Sequence, residues 1–425
     1  MGFFADRLQN SLPMSMHLDI NEEIKIFEDG VVDLISHDEL RKKLAQARKE
    51  GRPLRIKYGA DPSAPDIHLG HTVPLRKLKK LQDLGHEIIF LIGDFTARIG
   101  DPSQQSETRK MLSEKEVTAN ASSYQKQVFK ILDSKRTRVV HNSEWLDKIS
   151  PSDFLKLTSK YTVARLLERD DFRKRFETKQ PIALLELLYP LLQGYDSVVL
   201  KSDVELGGTD QKFNLLVGRE LQRDYGQEPQ IVVTLPIIEG TDGVQKMSKS
   251  LGNHIGVLDS SKEMFGKIMS IPDGLMLRYF AYLTPISSSE IAEMEKDLKK
   301  EKIHPRELKV RLAKEIVSLY HSPAEADQAH REFEKVFRDG GVPEELLQVS
   351  IARQKLKNGR IDILSLLQEA QLTSSKSEAR RLIRQGGVRI NQKKVENDKE
   401  EISLEQDVVI QCGKRKFAKV RALSS

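Results

Sequence analysis

Between Leu54 and Gly93 the chain sets down four segments in an order that few folds accept. Leu54 to Ala60 (LRIKYGA) reads as a strand and runs into a turn at Asp61-Pro62. From Ile67 a helical spacing of apolar residues continues through Leu84 and stops at Gly85, and Glu87 to Gly93 (EIIFLIG) reads as a second strand. Strand, turn, helix and strand at this spacing form a βαβ unit, whose natural host is a parallel sheet. An open sheet of that kind holds its ligand at the carboxyl ends of its strands, so the Asp61 turn lies where chemistry is expected.

The rest of the chain is read around this unit. Residues 1–50 look mostly helical and polar, and residues 107–190 read mainly as a helical insertion, with one short strand candidate near Arg138 to His141. Strand signals return at Val198 to Leu200 and at Ile231 to Ile238. Residues 257–345 are helical, punctuated by Pro272, Pro285 and Pro305, and Gly340 to Pro343 and Lys355 to Arg360 read as linkers. The last segment predicts a helix over Ile361 to Ala370, a capping box at Ser375 and Glu378, a second helix to Gln385 stopped by Gly386-Gly387, and short strands.

With 425 residues the chain is too long for one core. Its charge of +6 is unevenly placed: Arg353 to Arg421 hold seventeen Lys/Arg and nine Asp/Glu, a local +8 that leaves the remainder at −2. That reads as a polyanion-binding appendage on a nearly neutral body. Glu87 to Gly93 is too short to span a bilayer, and no secretory signal is visible. Cys412 is the only cysteine, which excludes an intramolecular disulfide and argues against a cysteine-based metal site. A reducing cytoplasm and no membrane association are expected.

Two stretches carry the chemistry. Asp61-Pro62-Ser63-Ala64-Pro65-Asp66-Ile67-His68-Leu69-Gly70-His71 places two histidines three apart at a helix start. Unpaired N–H groups and partial positive charge collect there, and both rings can donate to phosphate oxygens from one face. Gly70 lets a nucleotide ring approach the backbone. Far downstream, Lys246-Met247-Ser248-Lys249-Ser250, ringed by Gly240, Gly243 and Gly252, makes a mobile cationic loop. Such a loop suits a polyphosphate whose charge shifts in the transition state. Either stretch alone is also an ordinary surface feature; their joint presence points to nucleotide chemistry. Tyr189, Gln193 and Asp196 form one stripe of a helix, as a plain amphipathic helix with a polar rim also would. Pro190 interrupts the stripe and must lie in the first turn or kink the helix. The stripe leads on to Leu206-Gly207-Gly208-Thr209-Asp210-Gln211.

Together the two stretches resemble the signatures of the class I aminoacyl-tRNA synthetases, and the stripe with its Gly-Gly-Thr-Asp-Gln sequel looks like the pocket of the tyrosyl branch of that family. The likeness covers nearly all of the chain after residue 30. It implies an α/β, Rossmann-like parallel-sheet catalytic domain over residues 1–240, an α-helical domain over 241–350 that includes the lysine loop, and a small C-terminal α+β RNA-binding module over 355–425. It further implies activation of L-tyrosine by ATP and transfer to tRNA(Tyr), with Mg2+ accompanying ATP as substrate. No tightly bound cofactor or resident metal, and a homodimer, are expected.

Matched position by position, His68, His71, Lys246 and Lys249 would stabilise the departing pyrophosphate, with Ser63 and Ser250 as hydrogen-bonding helpers and Arg109 as a further mobile cation. Gly70, His71, Gly208, Asp210 and Lys249 would hold ATP or the adenylate, Asp210 at the ribose. Tyr189, Gln193 and Asp101 would receive the substrate ammonium, with Asp61 at the same strand end, Gln211 by the reacting carboxylate and Asp196 accepting the phenolic hydroxyl. In the C-terminal module Lys376, Arg380, Arg381 and Arg384 line a helix like that of a small RNA-binding module shared with ribosomal proteins and pseudouridine synthases. Two positions depart from the family: Lys57, beside Tyr58, stands where a tyrosine is common, and Gln104-Gln105 replaces a basic residue. The tryptophanyl branch, and a non-catalytic RNA-binding protein on the same scaffold, are the competing readings. The Gln193/Asp196 stripe opposes the first, and joint retention of His68, His71, Lys246 and Lys249 opposes the second.

Overall fold

Strands rich in Ile, Val and Leu with no polar alternation must be covered on both faces. That requirement shapes the N-terminal part of the computed structural model, which describes residues 18–63, 65–103, 113–337, 346–357, 359–413 and 416–423. The chain divides into two compact units, Met1–Ser322 and Pro323–Ser425, and the break falls inside the stretch 241–350 assigned from sequence to a helical domain.

The first unit begins with α1 (Ile20–Glu28), β1 (Asp33–Ile35) and α2 (His37–Lys49), followed by the βαβ unit: β2 (Arg55–Ala60), α3 (Leu69–Asp83) and β3 (Glu87–Ile92). Next come α4 (Thr96–Ile99), α5 (Glu114–Val128), β4 (Thr137–His141), and the helices α6 (Ser143–Leu146), α7 (Pro151–Thr158), α8 (Val163–Leu166), α9 (Asp170–Glu177) and α10 (Leu184–Leu200). β5 (Val204–Gly208), α11 (Lys212–Asp224) and β6 (Ile231–Leu235) complete the sheet. Helices α12 (Ser261–Met269), α13 (Met276–Leu283), α14 (Ser288–Lys299) and α15 (Pro305–Tyr320) follow.

The six strands lie in the order β1-β6-β5-β2-β3-β4. All neighbours are parallel except β1, which pairs antiparallel with β6 through Asp33↔Thr234. From β2 the chain winds outward through β3 and β4, then returns to place β5 on the other side of β2. The order therefore reverses between β2 and β5, and a crevice opens at their carboxyl ends.

The structure corrects several sequence expectations. The N-terminal 50 residues contribute an edge strand, β1, too short to show a pattern. Val198 to Leu200 is the last turn of α10, and the strand begins only at Val204, after Lys201 turns the chain in a left-handed conformation (φ 48°). Arg138 to His141 belongs to β4 of the main sheet, so the helical insertion starts after it rather than at residue 107. Of the two places allowed for Pro190, the first turn is excluded: it is interior to the 17-residue α10, which continues past it.

The second unit holds α16 (Pro323–Phe337), β7 (Leu347–Ile351), β8 (Arg360–Asp362), α17 (Ile363–Glu369), α18 (Lys376–Arg384), β9 (Val388–Ile390), β10 (Lys393–Lys394), β11 (Glu401–Ser403), β12 (Val408–Cys412) and β13 (Lys416–Ala422). Its sheet runs β10-β9-β12-β13-β7, with β8 and β11 as a separate pair. Leu366, Leu367, Ala379 and Ile383 from the two helices close a core with Val388, Ile410 and Val420. Ser375 caps α18 by accepting from Glu378 N, while Glu378 reaches back to Ser374 rather than Ser375. The stretch expected to be wholly helical from Ile361 starts as β8. No helix of the described residues is long and apolar enough to cross a membrane.

Candidate active site

A cavity of about 680 Å³ occupies the crevice between the ends of β2 and β5. Its lining includes Asp61, Ser63, His68, Gly70, His71, Asp101, Tyr189, Gln193, Asp196, Gly208, Asp210, Gln211, Lys246, Lys249 and Ser250. The structure thus brings together every sequence-predicted residue of the small-molecule site except Arg109, which lies outside the described residues together with Gln104 and Gln105. Lys376, Arg380, Arg381 and Arg384 are exposed on α18 of the second unit, and Arg380 is paired with Asp398 at 2.9 Å.

At one end of the cavity the two motifs meet. His68 is the N-cap of α3, and its backbone N–H donates to His71 Nδ1 at 3.2 Å, leaving the two rings 3.8 Å apart. Backbone bonds from Leu69 N to Ile255 O (2.9 Å) and from Val257 N to Ile67 O (3.1 Å) tie this turn to the segment after the lysine loop. Met247, buried, sets its sulfur 3.4 Å from Gly70 N. A Cβ at Gly70 would lie 3.1 Å from the His68 ring, so the glycine allows the rings and Met247 to share this corner. Lys249 is paired with Asp66. Burial pushes His68 down to about 2 and His71 to about 4, helped at both by Lys249. Both imidazoles are therefore neutral near pH 7 and offer N–H groups; the cations here are the lysines. Among the described residues His68 Nδ1, which is buried, has no hydrogen-bond partner.

The lysine loop has its own organiser. Asn253 is buried; its Oδ1 accepts from Ser248 N at 2.8 Å, and its Nδ2 donates to Asp242 Oδ2 at 2.8 Å and faces the carbonyl of Lys246 at 3.1 Å.

At the other end of the cavity lies a group of carboxylates. α10 is buried along Tyr189 and Asp196 because Gly194 lets α11 approach at Gly218 and Leu221. Asp196 accepts from Trp145 Nε1 at 2.9 Å and from Asn142 Nδ2 at 3.3 Å. Asp61 accepts from Thr96 Oγ1 at 2.7 Å and from Tyr189 OH at 2.8 Å. Burial raises both carboxyls to about 7: at Asp61 the hydrogen bonds from Thr96 and Tyr189 offset part of it, at Asp196 the charge of Lys57 does. Asp101 accepts from Ser103 N and Oγ (2.9 and 2.6 Å) and from Gln211 Nε2 (2.7 Å), while Asn214 fixes the other end of the Gln211 amide at 3.0 Å. Gln193 Oε1 is buried without a partner among the described residues, as expected of a group that awaits a ligand. Burial and the nearby Asp101 raise Asp210, against the pull of Lys246.

Asn142, Trp145, Thr96 and Ser103 were missed from sequence. The first two follow β4, so the rule that places ligands at strand carboxyl ends reaches them once β4 is recognised as a sheet strand. Among the described residues no group of three His, Cys, Asp or Glu side chains is arranged to hold a metal ion.

A neutral imidazole pair tied to a lysine loop, at the switch point of a parallel sheet, defines a class of enzyme. The chain matches the family model described as tRNA synthetases class I (W and Y) over residues 49–338 and the S4 domain over 363–409, and it belongs to that synthetase family. Within the family it belongs with the tyrosine–tRNA ligases. It is 53% identical to the tyrosine–tRNA ligase of Carboxydothermus hydrogenoformans over 95% of this chain and 98% of the relative. It is also 53% identical to that of Thermotoga maritima over 94% and 97%. Among solved structures, a tyrosyl-tRNA synthetase complexed with L-tyrosine from Archaeoglobus fulgidus superposes with a TM-score of 0.59 at 26% identity, covering 73% of this chain and 99% of that one. A C-terminally truncated mitochondrial tyrosyl-tRNA synthetase from Aspergillus nidulans shares the fold at TM-score 0.60 and 23% identity, covering 76% and 98%.

Proposed function

We propose that the cavity activates L-tyrosine with ATP and that the chain then passes the tyrosyl group to the 3′ end of tRNA(Tyr). The observation that carries this reading is the division of one cavity into a neutral-imidazole and lysine end for phosphates and a carboxylate end, closed by Asp196, for an amino acid. The tyrosine carboxylate attacks the α-phosphorus in line, the bond to the bridging oxygen breaks, and pyrophosphate leaves with its electron pair. No covalent enzyme intermediate is required; the protein supplies position and charge. His68 and His71 donate N–H groups to the phosphates. Lys249 exchanges Asp66 for the leaving group, and Lys246 adds the second charge.

Asp101 and the Tyr189 hydroxyl oxygen receive the ammonium, and Asp196 accepts the phenolic O–H. Phenylalanine is rejected because it would leave that buried carboxylate short of a donor. In the second step the tRNA hydroxyl attacks the tyrosyl carbonyl and AMP departs. Mg2+ arrives with the triphosphate. The exposed basic residues of α18 contact tRNA phosphates, and the protein acts in the cytoplasm as a homodimer.

The test is amino-acid-dependent exchange of labelled pyrophosphate into ATP, run with each of the twenty amino acids. Exchange with tyrosine alone is expected; exchange with tryptophan, or none, overturns the reading. Lys249→Ala should depress kcat for exchange and leave KM for tyrosine nearly unchanged.

A further inference from the structure

Among the residues that line the cavity is a lysine with no exposed surface. Lys57, on β2, pairs with Glu205 Oε1 on β5 at 2.8 Å, and the two residues are in register across the switch point. Its ammonium also donates to Ser197 Oγ at 2.8 Å and to the Gln193 carbonyl at 3.2 Å. Ser197 in turn donates to Glu205 Oε2 at 2.9 Å. The ion pair thus grips the turn of α10 that carries Asp196. A fully buried ion pair is a weak means of stabilising a fold, because both ions lose their water. Apolar side chains fill the neighbouring strand β3, so the pair calls for a reason beyond packing.

We propose that Lys57, held by Glu205, is a positioning and specificity residue for tyrosine: it draws Asp196 toward the ionised form that can only accept, and it fixes the helix turn that presents it. The inference rests on Asp196 as the acceptor of the phenolic hydroxyl. A neutral Asp196 would tolerate an unhydroxylated ring better than a charged one, whose desolvation would go uncompensated.

The charges around Asp196 are few. Lys57 faces it from β2 and Glu205 from β5; Asp61 stands at the end of β2, Asp101 beyond α4, and Tyr189 is on the same helix. Asn142 and Trp145 are neutral donors. Arg219, on the packed helix α11, is turned to Glu39 and the Gln230 carbonyl, and Arg98 on α4 is turned to Asp147. Lys57 is therefore the one cation among these groups that favours the ionised form, and Glu205 opposes it more weakly.

The test is the double substitution Lys57→Met with Glu205→Gln, which removes both charges and leaves the net charge unchanged. The kcat/KM values for tyrosine and for phenylalanine are measured by pyrophosphate exchange across pH, beside Asp196→Asn. The double variant should lose about tenfold or more of its tyrosine-over-phenylalanine discrimination at about pH 7 and regain it as the pH rises. Its acidic limb should move up by about one pH unit or more. Asp196→Asn, with no charge to regain, should discriminate poorly at every pH. A wild-type limb in the double variant, or a loss of discrimination that pH does not restore, overturns the role of Lys57 while Asp196→Asn still upholds the pocket. Full discrimination by Asp196→Asn overturns both. If the double variant does not fold, Lys57→Gln, which keeps a hydrogen-bonding head, reads the same shift.

Discussion

Replacing Asn253 by alanine should uncouple the lysine loop from the turn that carries His68 and His71. The side chain is buried, with bonds to Ser248 N and Asp242 Oδ2 at 2.8 Å and with the carbonyls of Lys246 and Gln245 at 3.1 and 3.3 Å. An amide has two N–H donors, so it serves two of those three acceptors at once while its oxygen takes a third bond. At about 1 kcal/mol net for each, about 3 kcal/mol of loop order rests on this one residue. Spent wholly in the step where Lys246 and Lys249 meet the leaving pyrophosphate, that is about a hundredfold in rate. The amino-acid end of the cavity is untouched, so tyrosine affinity should hold. Pyrophosphate exchange reads kcat. Trp145, the only tryptophan of the chain, reports binding, because its indole N–H is bonded to Asp196. Gly240→Ala should reproduce the defect, since its new methyl would lie 2.3 Å from Asn253 Cγ. A kcat close to that of the unsubstituted chain, or a loss of tyrosine affinity as large as the loss of kcat, would refute the assignment.

Three further outcomes are expected. Burial holds the Asp61 carboxyl at about 7 against an ordinary 3.8, so the folded chain keeps a proton that the unfolded chain gives up. Its stabilising contribution is complete below the unfolded value and is lost as pH rises through about 7; Asp61→Asn should therefore raise Tm more at about pH 8 than at about pH 5, and equal shifts would contradict the sign. At Gly194 a Cβ would lie 2.9 Å from Leu221 Cδ1 and 3.0 Å from Gly218 N, and backbone cannot swing aside; Gly194→Ala should cost about 1–3 kcal/mol in a denaturant melt, and an unchanged midpoint would show slack between α10 and α11. Charge reversal of the exposed Lys376 and Arg384 together should leave tyrosine activation intact and weaken tRNA charging in a salt-dependent way. Normal charging would remove α18 from the RNA contact.

The strand–turn–helix–strand at Leu54 to Gly93 was legible because its periods are local: a parallel strand is apolar throughout, and a helix repeats every three to four residues. The edge strand β1 was not, since three residues carry no period and their pairing with β6 is settled far away in sequence. The Val198 to Leu200 reading failed because apolar residues suit a buried helix end as well as a strand: Val198 packs with Val217 and Leu221 of α11, and Leu200 with Ile89 and Leu91 of β3. Asn142 and Trp145 escaped notice because β4 was read into an insertion, although it forms the sheet edge beside β3.

By itself the sequence determined which residues could do chemistry: the histidines at a helix start, the two lysines in a glycine-ringed loop, and the Tyr189, Gln193 and Asp196 stripe. Those are properties of residue type and spacing. Only the tertiary structure decided their protonation and their partners. Burial left His68 and His71 neutral, lifted Asp61 and Asp196 toward neutrality, and set Lys57 against Glu205 across two strands. Desolvation and the distance between charges depend on what the rest of the chain packs around a group, and no local pattern of residues carries that.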